Sequence, residues 1–385
     1  MIPRGKLDIT YAAIFRGLLY CMSADKADRQ NRETNDGLIC LSVRTGLHLV
    51  LSALNYPPGS EILVTNINIP DMFNILDAHG LKSVPLALNK NTLGINAEEM
   101  ENAITPNTRA ILITHLFGAI MDTGKIVALA KKHNLTVIED CAQAFTGDAY
   151  RGNPLSDVVM FSFGLIKTNT TLTGALLKFN NNWIYKKAIT FNSTLPVQLT
   201  GIFAKKLRKA LIIKLLTTNV VYTLFYKFCM AGGRDFDDVL AGFTKGFPGA
   251  EVMEKIRFRP CAGNIGLIKY RLESFNSGNI EKRRNNALQI LQHLPRSVKI
   301  GSLNNYNSHW VLPVETANPA KLIAYLRANG FDATQRASSL VKITGGETNS
   351  PDELKLESLV YIPVQSLNKS GINKLGVLLK QFFAR

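Results

Sequence analysis

Residues 136–180 read TVIEDCAQAFTGDAYRGNPLSDVVMFSFGLIKTNTTLTGALLKFN. Two short apolar, β-branched runs stand out, 136–139 (TVIE) and 158–163 (VVMFSF). Polar residues gather at their ends: Asp140 and Gln143 after the first, Ser162 and Lys167 at and after the second. Working outward, the same alternation fills 41–179. Helices are expected at 47–54 (LHLVLSAL), 72–79, 97–104 and 125–133, and strands at 61–65 (EILVT), 83–88 and 109–114 (RAILIT). Such strands, separated by helical crossovers, predict a mostly parallel sheet covered on both faces. Ligands of such sheets sit beyond the carboxyl ends of the strands.

An acid past one strand end and a lysine past another suit a cofactor with a basic ring nitrogen and an aldehyde. Pyridoxal phosphate needs both, a lysine amine for the Schiff base and a carboxylate that keeps the pyridine nitrogen protonated. On spacing alone, Lys167 reads equally as a solvated loop lysine and Asp140 as a helix N-cap. Gln143 reads as a surface amide and Ser162 as a solvent-facing strand serine. His115 and His48 read as buried structural histidines, and Cys141 as a packed small hydrophobe. No HxxxH, HExxH or Cys cluster supports a metal, and no Walker loop, G-x-G-x-x-G or nucleic-acid motif is present.

The segment from VIEDCAQAF to TLTGALLKFNN resembles the DegT/DnrJ/EryC1/StrS sugar aminotransferases. The shared features are the strand-E-D-x-A-Q-A turn, the S-D-V-x-x-F-S-F strand and a lysine five residues after the serine. LSVRTGLHLVLSALNYPPGSEILVTNINI, ITPNTRAILITHLFGAIMDTGKIVALAKKHNL, GNIGLIKYRLESFNSGNIEKRRNNA and ESLVYIPVQSLNKSGINKLGVLL resemble further segments of the same family. The resemblance leaves out roughly 192–250. It implies a pyridoxal-phosphate-dependent fold of type I: a large α/β/α domain with a mostly parallel sheet over 1–250, and a small α+β domain over 251–385. It further implies that Lys167 carries the cofactor as an internal aldimine and then moves the substrate proton. Asp140 would pair with the pyridine nitrogen, Gln143 face the phenolic oxygen, Ser162 donate to the phosphate, and Arg44–Thr45 form the helix N-terminal phosphate cradle.

The implied reaction is a ping-pong transamination from an amino donor such as glutamate to a keto sugar, nucleotide-linked, in glycan or natural-product sugar synthesis, by a homodimer. Lysine at 167, where the family's dehydratase branch has histidine, favours amino transfer. The chain also departs from the family pattern. Ile69 stands where an aromatic residue usually covers the cofactor ring, the glycine-rich stretch after the lysine is reduced to Thr173-Gly174-Ala175, and the substrate loop reads Ala333-Thr334-Gln335-Arg336. Lys255 or Arg257 falls near the position of an asparagine that reaches a partner's phosphate. These departures leave two alternatives standing, an aminotransferase for a lipid or other non-sugar carbonyl, and a catalytically silent membrane-associated scaffold.

The 385 residues carry 45 Lys+Arg against 29 Asp+Glu, a net charge of +16 that calls for an anionic partner. The content of 46% apolar residues excludes a disordered chain. Five scattered cysteines argue against a disulfide framework, and no signal peptide is expected at the N-terminus. Much of the basic surplus lies in and beside an insert at about 192–250: Lys186, Lys187, Lys205, Lys206, Arg208, Lys209, Lys214 and Lys227, around the apolar run 210–230. Its uncharged stretch 215–226 is too short to span a bilayer. A basic apolar segment with interleaved aromatics suits peripheral contact with an anionic membrane through 203–230, on an otherwise cytoplasmic enzyme; a dimer-interface helix pair is the alternative. In the last third, a long helix at 267–294, strands at 310–314 and 359–362 and helices at 320–329 and 371–383 are expected.

Overall fold

The computed structural model describes residues 1–23, 33–34, 37–244, 251–336, 339–344, 351–365 and 367–384. Its centre is an eight-stranded sheet in the order Glu33–Thr34, Gly37–Cys40, Ala175–Phe179, Val158–Ser162, Thr136–Asp140, Thr108–Thr114, Glu61–Thr65 and Lys82–Leu86. The last five of these strands run parallel, and the first three join them antiparallel. The expected strands at 61–65, 109–114, 136–139 and 158–163 therefore form, each within a residue of its expected bounds.

Both faces of the sheet are covered because successive strand residues point to opposite sides. Val64, Leu112, Ile138 and Met160 pack against the Val43–Leu54, Pro70–Ala78 and Asn182–Thr194 helices. Their neighbours Leu63, Ile111, Ile113 and Val137 pack with Met100, Ile126 and Val127 from the Ala97–Asn102 and Gly124–Lys132 helices. The Val43–Leu54 helix lies so near the sheet that a Cβ on Gly46 would sit 2.6 Å from a Leu177 methyl. That close approach fixes the helix N-terminus against the strand ends.

A separate core is built from residues 287–379. The antiparallel strands Leu312–Glu315 and Leu359–Ile362 turn Leu312, Val314, Val360 and Ile362 onto the Gly278–Leu291, Pro319–Ala328 and Lys369–Phe383 helices. The strand expected at 310–314 begins at Leu312, which leaves Trp310 in the preceding loop. The single helix expected over 267–294 is two, Ala262–Glu273 and Gly278–Leu291. The break has a local cause: Asn276 Oδ1 accepts the Gly278 amide at 2.7 Å, an Asx turn that competes with the helix ladder.

The insert folds as two helices, Thr200–Leu216 and Asn219–Ala231, bent by 90° at Thr217–Thr218, followed by Phe236–Thr244. No single described helix is long and apolar enough to cross a membrane; only this bent pair passes when its two arms are taken together. Phe203, Leu207, Ala210 and Ile213 anchor the first arm on Ile14 of the Tyr11–Met22 helix and on Leu267. The expected domain boundary at 250 and the end of the insert lie outside the described residues.

Candidate active site

The strand Thr136–Asp140 ends on Asp140, which is 2% exposed, directly beside Thr114 of the neighbouring strand. Asn68 Nδ2 donates to Thr114 Oγ1 at 2.8 Å and to Asp140 Oδ2 at 3.3 Å, and the Ala142 amide donates to Oδ1 at 3.0 Å. Burial raises the Asp140 carboxyl above its ordinary value, against the pull of the Ala142 amide, Lys167 and Asn68. Lys167 is pushed down to about 8, first by burial and then by Arg44, while Asp140 resists the shift. Acid and lysine thus act on each other, each favouring the other's charged form.

The loop after Ser162 is held by its own hydroxyl groups. Thr170 Oγ1 donates to the Gly164 carbonyl at 2.7 Å, Thr171 Oγ1 to the Thr173 carbonyl at 2.7 Å, and Thr173 Oγ1 to the Leu41 carbonyl at 2.9 Å. Asn169 and Leu172 sit at φ 56 and 70, left-handed backbone that a bulky leucine rarely adopts. Gly174, at φ +130, is required there, because a Cβ would meet Ile268 at 2.6 Å. The result presents the Lys167 amine over the Trp310 ring, 4.1 Å from its centroid. Trp310 Nε1 in turn donates to the Ile166 carbonyl at 3.0 Å, which binds the lysine loop to the C-terminal core.

At the N-terminus of the Val43–Leu54 helix, Ser42 Oγ accepts the Thr45 amide at 3.1 Å, and Thr45 Oγ1 donates to the Ile256 carbonyl at 2.9 Å. Side chains thus fix this helix start, and its first-turn amides make a place for an anion. Arg44 Nε pairs with Asp71 at 2.5 Å, because the Pro70–Ala78 helix brings the acid alongside. Gln143 is buried, and its Oε1 accepts the Phe117 amide at 2.8 Å, which turns the NH₂ end toward the remaining side. Ser162 ends its strand half-buried, its hydroxyl 3.4 Å from the Gly164 amide. Ile69 starts the Pro70–Ala78 helix, next in the chain to Asn68.

Other titratable groups find partners within the fold. His115 Nδ1 accepts the Met121 amide at 3.0 Å, so Nε2 carries the proton and donates to Glu139 at 2.9 Å. Glu139 also receives Tyr150, Asn153 and Ser156, so although His115, Glu139 and Cys141 cluster, their ring nitrogens and carboxylate oxygens are occupied. Burial holds the Cys141 thiol well above its ordinary value, as befits a packed side chain. His48 lies 2.9 Å from His79 and is pushed to about 4 by burial and then by the second imidazole. Ala333–Arg336 is tied to the insert: Thr334 Oγ1 donates to Asp237 at 3.0 Å, and Arg336 pairs with Asp238 at 2.5 Å.

A buried acid, a half-buried lysine and a helix N-terminus at adjoining strand ends fit the ring nitrogen, aldehyde and phosphate of pyridoxal phosphate. Over residues 34–199 the chain matches the DegT/DnrJ/EryC1/StrS aminotransferase family. The match covers less than half of the chain. This protein is similar to the GDP-perosamine synthase of Caulobacter vibrioides, 36% identical over 148 residues that cover 38% of this chain and 40% of the relative. The chain thus spans about two fifths of the length of the curated relatives it matches. In fold it is similar to the sugar aminotransferase CalS13 of Micromonospora echinospora, with TM-score 0.69 and 18% identity over 99% of this chain and 100% of that one. It is also similar to NtdA of Bacillus subtilis with bound cofactor PMP, with TM-score 0.66 and 17% identity over 98% and 83%. Among the residues the sequence reading did not single out, Asn68 and Trp310 touch Asp140 and Lys167 directly.

Proposed function

We propose that this protein is a pyridoxal-phosphate-dependent aminotransferase that converts a sugar ketone to an amine. The observation that carries the reading is the pair of buried Asp140 and half-buried Lys167 at the strand ends beside the Val43–Leu54 helix N-terminus. When bound, the cofactor supplies an aldehyde for the amine and a protonated ring that draws electrons from the substrate carbon. Asp140 holds the proton on the ring nitrogen. Lys167, already pushed down to about 8, gives up its proton near neutrality and acts as the base that moves hydrogen at the substrate carbon. The first-turn amides of the Val43–Leu54 helix bind the phosphate with Ser162, Thr45 holds that turn in place, Arg44 adds charge nearby, and the Gln143 NH₂ faces the phenolic oxygen. Over the full cycle the donor's amino group and the acceptor's keto oxygen exchange places, leaving a 2-oxo acid and an amino sugar.

Both half-reactions use one site, so the kinetics are expected to be ping-pong, with glutamate as the donor. The name of the perosamine synthases supports a nucleoside diphosphate as carrier of the sugar. The same reading includes a homodimer, a division into large (1–250) and small (251–385) domains, and peripheral contact of the insert with an anionic membrane. The exposed apolar side chains Val220, Leu224 and Phe228 support that contact. Two lysines are turned away from such a surface: Lys214 Nζ donates to the Ile9 carbonyl at 2.6 Å, and Lys206 is half-buried and pushed to about 8 by burial.

The test is borohydride reduction of the cofactor-loaded protein followed by peptide mass spectrometry. A pyridoxyl group on Lys167, and loss of the visible cofactor band in Lys167→Ala, are expected. A wild-type protein with no band would leave the silent scaffold as the reading.

A further inference from the structure

We propose that Arg283 is a positioning residue: it holds Trp310 against Lys167 and thereby fixes where the amine waits for the cofactor. The inference rests on the aminotransferase reading, which makes Lys167 the amine that captures pyridoxal phosphate. The segment that carries Trp310 has little freedom of its own. The Ser308 amide donates to the Gly118 carbonyl at 2.8 Å, and the His309 amide donates to Asn307 Oδ1 at 2.7 Å. Gly118, at φ +95, lies so close that a Cβ there would meet the Trp310 amide and the Ser308 hydroxyl at 2.5 Å. His309 sits at φ 47, left-handed backbone that persists only where its surroundings over-determine it.

Arg283 supplies that hold. It lies on the inner face of the Gly278–Leu291 helix and is 6% exposed. Its Nε donates to the Ser308 carbonyl at 2.9 Å, and Nη2 lies 3.5 Å from both Ser308 Oγ and Thr168 Oγ1. Ser308 comes two residues before Trp310, and Thr168 directly follows Lys167. One planar guanidinium thus spans the loop that carries the ring and the loop that carries the amine. Trp310 Nε1 closes the circuit on the Ile166 carbonyl at 3.0 Å, and the amine rests 4.1 Å from the ring centroid. On the far side of the ring's backbone, Gln365 Nε2 reaches the Trp310 carbonyl at 3.4 Å.

The charge of Arg283 marks this contact as more than packing. Among the described residues no carboxylate forms an ion pair with it, and burial pushes the guanidinium down to about 10 against the pull of Asp8 and then Tyr306. Asp8 is engaged elsewhere, where its Oδ2 accepts the Asn169 amide at 2.8 Å. A buried guanidinium without a partner acid adds little to stability, and an apolar side chain would avoid its desolvation. Such a side chain would reach neither Ser308 nor Thr168, so the geometric role is the one that remains. The same charge acts on the ring's neighbour: His309 is pushed to about 4 by burial and then by Arg283 and Arg284, which keeps its imidazole neutral.

The test is a double-mutant cycle on the full chain in a Trp183→Phe background, which leaves Trp310 as the sole tryptophan. The protein is stripped of cofactor and re-exposed to pyridoxal phosphate, with Trp310 emission and the rate of capture as readouts. Arg283→Met is expected to move the emission to longer wavelength and to slow the limiting rate of capture about tenfold, the scale of a small misplacement of a reacting group. The concentration for half-maximal capture should stay unchanged, because the phosphate cradle is untouched. Trp310→Leu is expected to slow capture as much, and adding Arg283→Met to it to cost nothing further. Arg283→Lys, which can still donate to Ser308, is expected to restore most of the rate. Full capture in a folded Arg283→Met, losses that multiply in the double variant, or slowed capture with unmoved emission overturns the proposal. Should Arg283→Met fail to fold, the cycle is run with Arg283→Gln, whose amide can serve only one of the two loops, and unchanged capture there overturns the proposal equally. An absent cofactor band in the Trp183→Phe parent strikes the aminotransferase reading itself, whereas a band with multiplying losses strikes only the role of Arg283.

Discussion

Residues 34–199 and residues 200–244 solve opposite problems with similar raw material. The first segment buries its β-branched runs in a sheet covered on both faces and leaves a few polar groups, buried or half-buried, at the strand ends. The second, also rich in apolar residues, buries one side of two bent helices and leaves the other exposed, with Val220 73% and Phe228 71% accessible. Apolar content alone thus does not decide which part is core. What decides is whether a partner layer exists for each face, and the insert has one for only one of its faces.

The sharpest test of the first region is Lys167→Ala. Removing the amine takes away both covalent capture of the cofactor and the base, so turnover should fall by about 10³-fold or more. A steady-state assay with keto sugars, alongside the absorbance spectrum, checks this; retained turnover would end the comparison by making the strand-end cluster structural.

For the second region the counterpart is Asp332→Ala. Asp332 is fully buried and receives Arg4, Arg327 and the Tyr222 hydroxyl, which ties the insert and the N-terminus to the C-terminal core. Removing it leaves two guanidinium groups short of an anion, at a cost of about 3–5 kcal/mol. Chemical unfolding should show that loss, and limited proteolysis should cut within 200–244 first. A uniform loss of stability with no preferential cutting would mean that the insert is as much core as the sheet.

Asp140→Asn keeps the shape and removes the charge. Turnover should drop about 10²-fold, as expected when a group that stabilises charge in the reaction is lost. A carboxylate near an ammonium holds its proton on, so its removal lowers the lysine further below about 8. The rate of pyridoxal phosphate capture, which needs the neutral amine, should therefore rise with pH to a midpoint lower in the variant than in the wild type. An unmoved midpoint would show that Asp140 and Lys167 do not act as a pair.

Much of this site is legible from sequence because its main groups follow strands. Asp140, Ser162 and Lys167 announce themselves by position, and the motif around them carries the family. Asn68 and Trp310 do not, since Asn68 reaches Asp140 across 72 residues and Trp310 reaches the lysine loop across 144. Arg44 shows the same limit from the other side: its place in the helix start was readable, but its ion pair with Asp71 depends on how two helices pack. The break at 274–277 was masked by residues that suit a helix on either side, while one asparagine side chain decides it. The bend at Thr217–Thr218 was likewise hidden inside a run that is apolar throughout.

The smallest expected effect bears on the exposed side of the insert. Lys205 and Arg208 are exposed on the Thr200–Leu216 helix, away from the strand-end site. Each basic residue near an anionic bilayer contributes about 1 kcal/mol, so Lys205→Glu with Arg208→Glu should weaken vesicle binding by tenfold or more, since the added acids are themselves repelled. Co-sedimentation with phosphatidylserine vesicles at low salt measures this, and raising the salt should erase most of the difference between variant and wild type. Turnover on a water-soluble keto sugar should stay unchanged, because neither residue approaches Lys167. If the double variant binds vesicles like wild type but sediments as a smaller particle, the exposed face is a surface between two copies of the chain, and the contrast between covered sheet and half-covered helices disappears in the assembled protein.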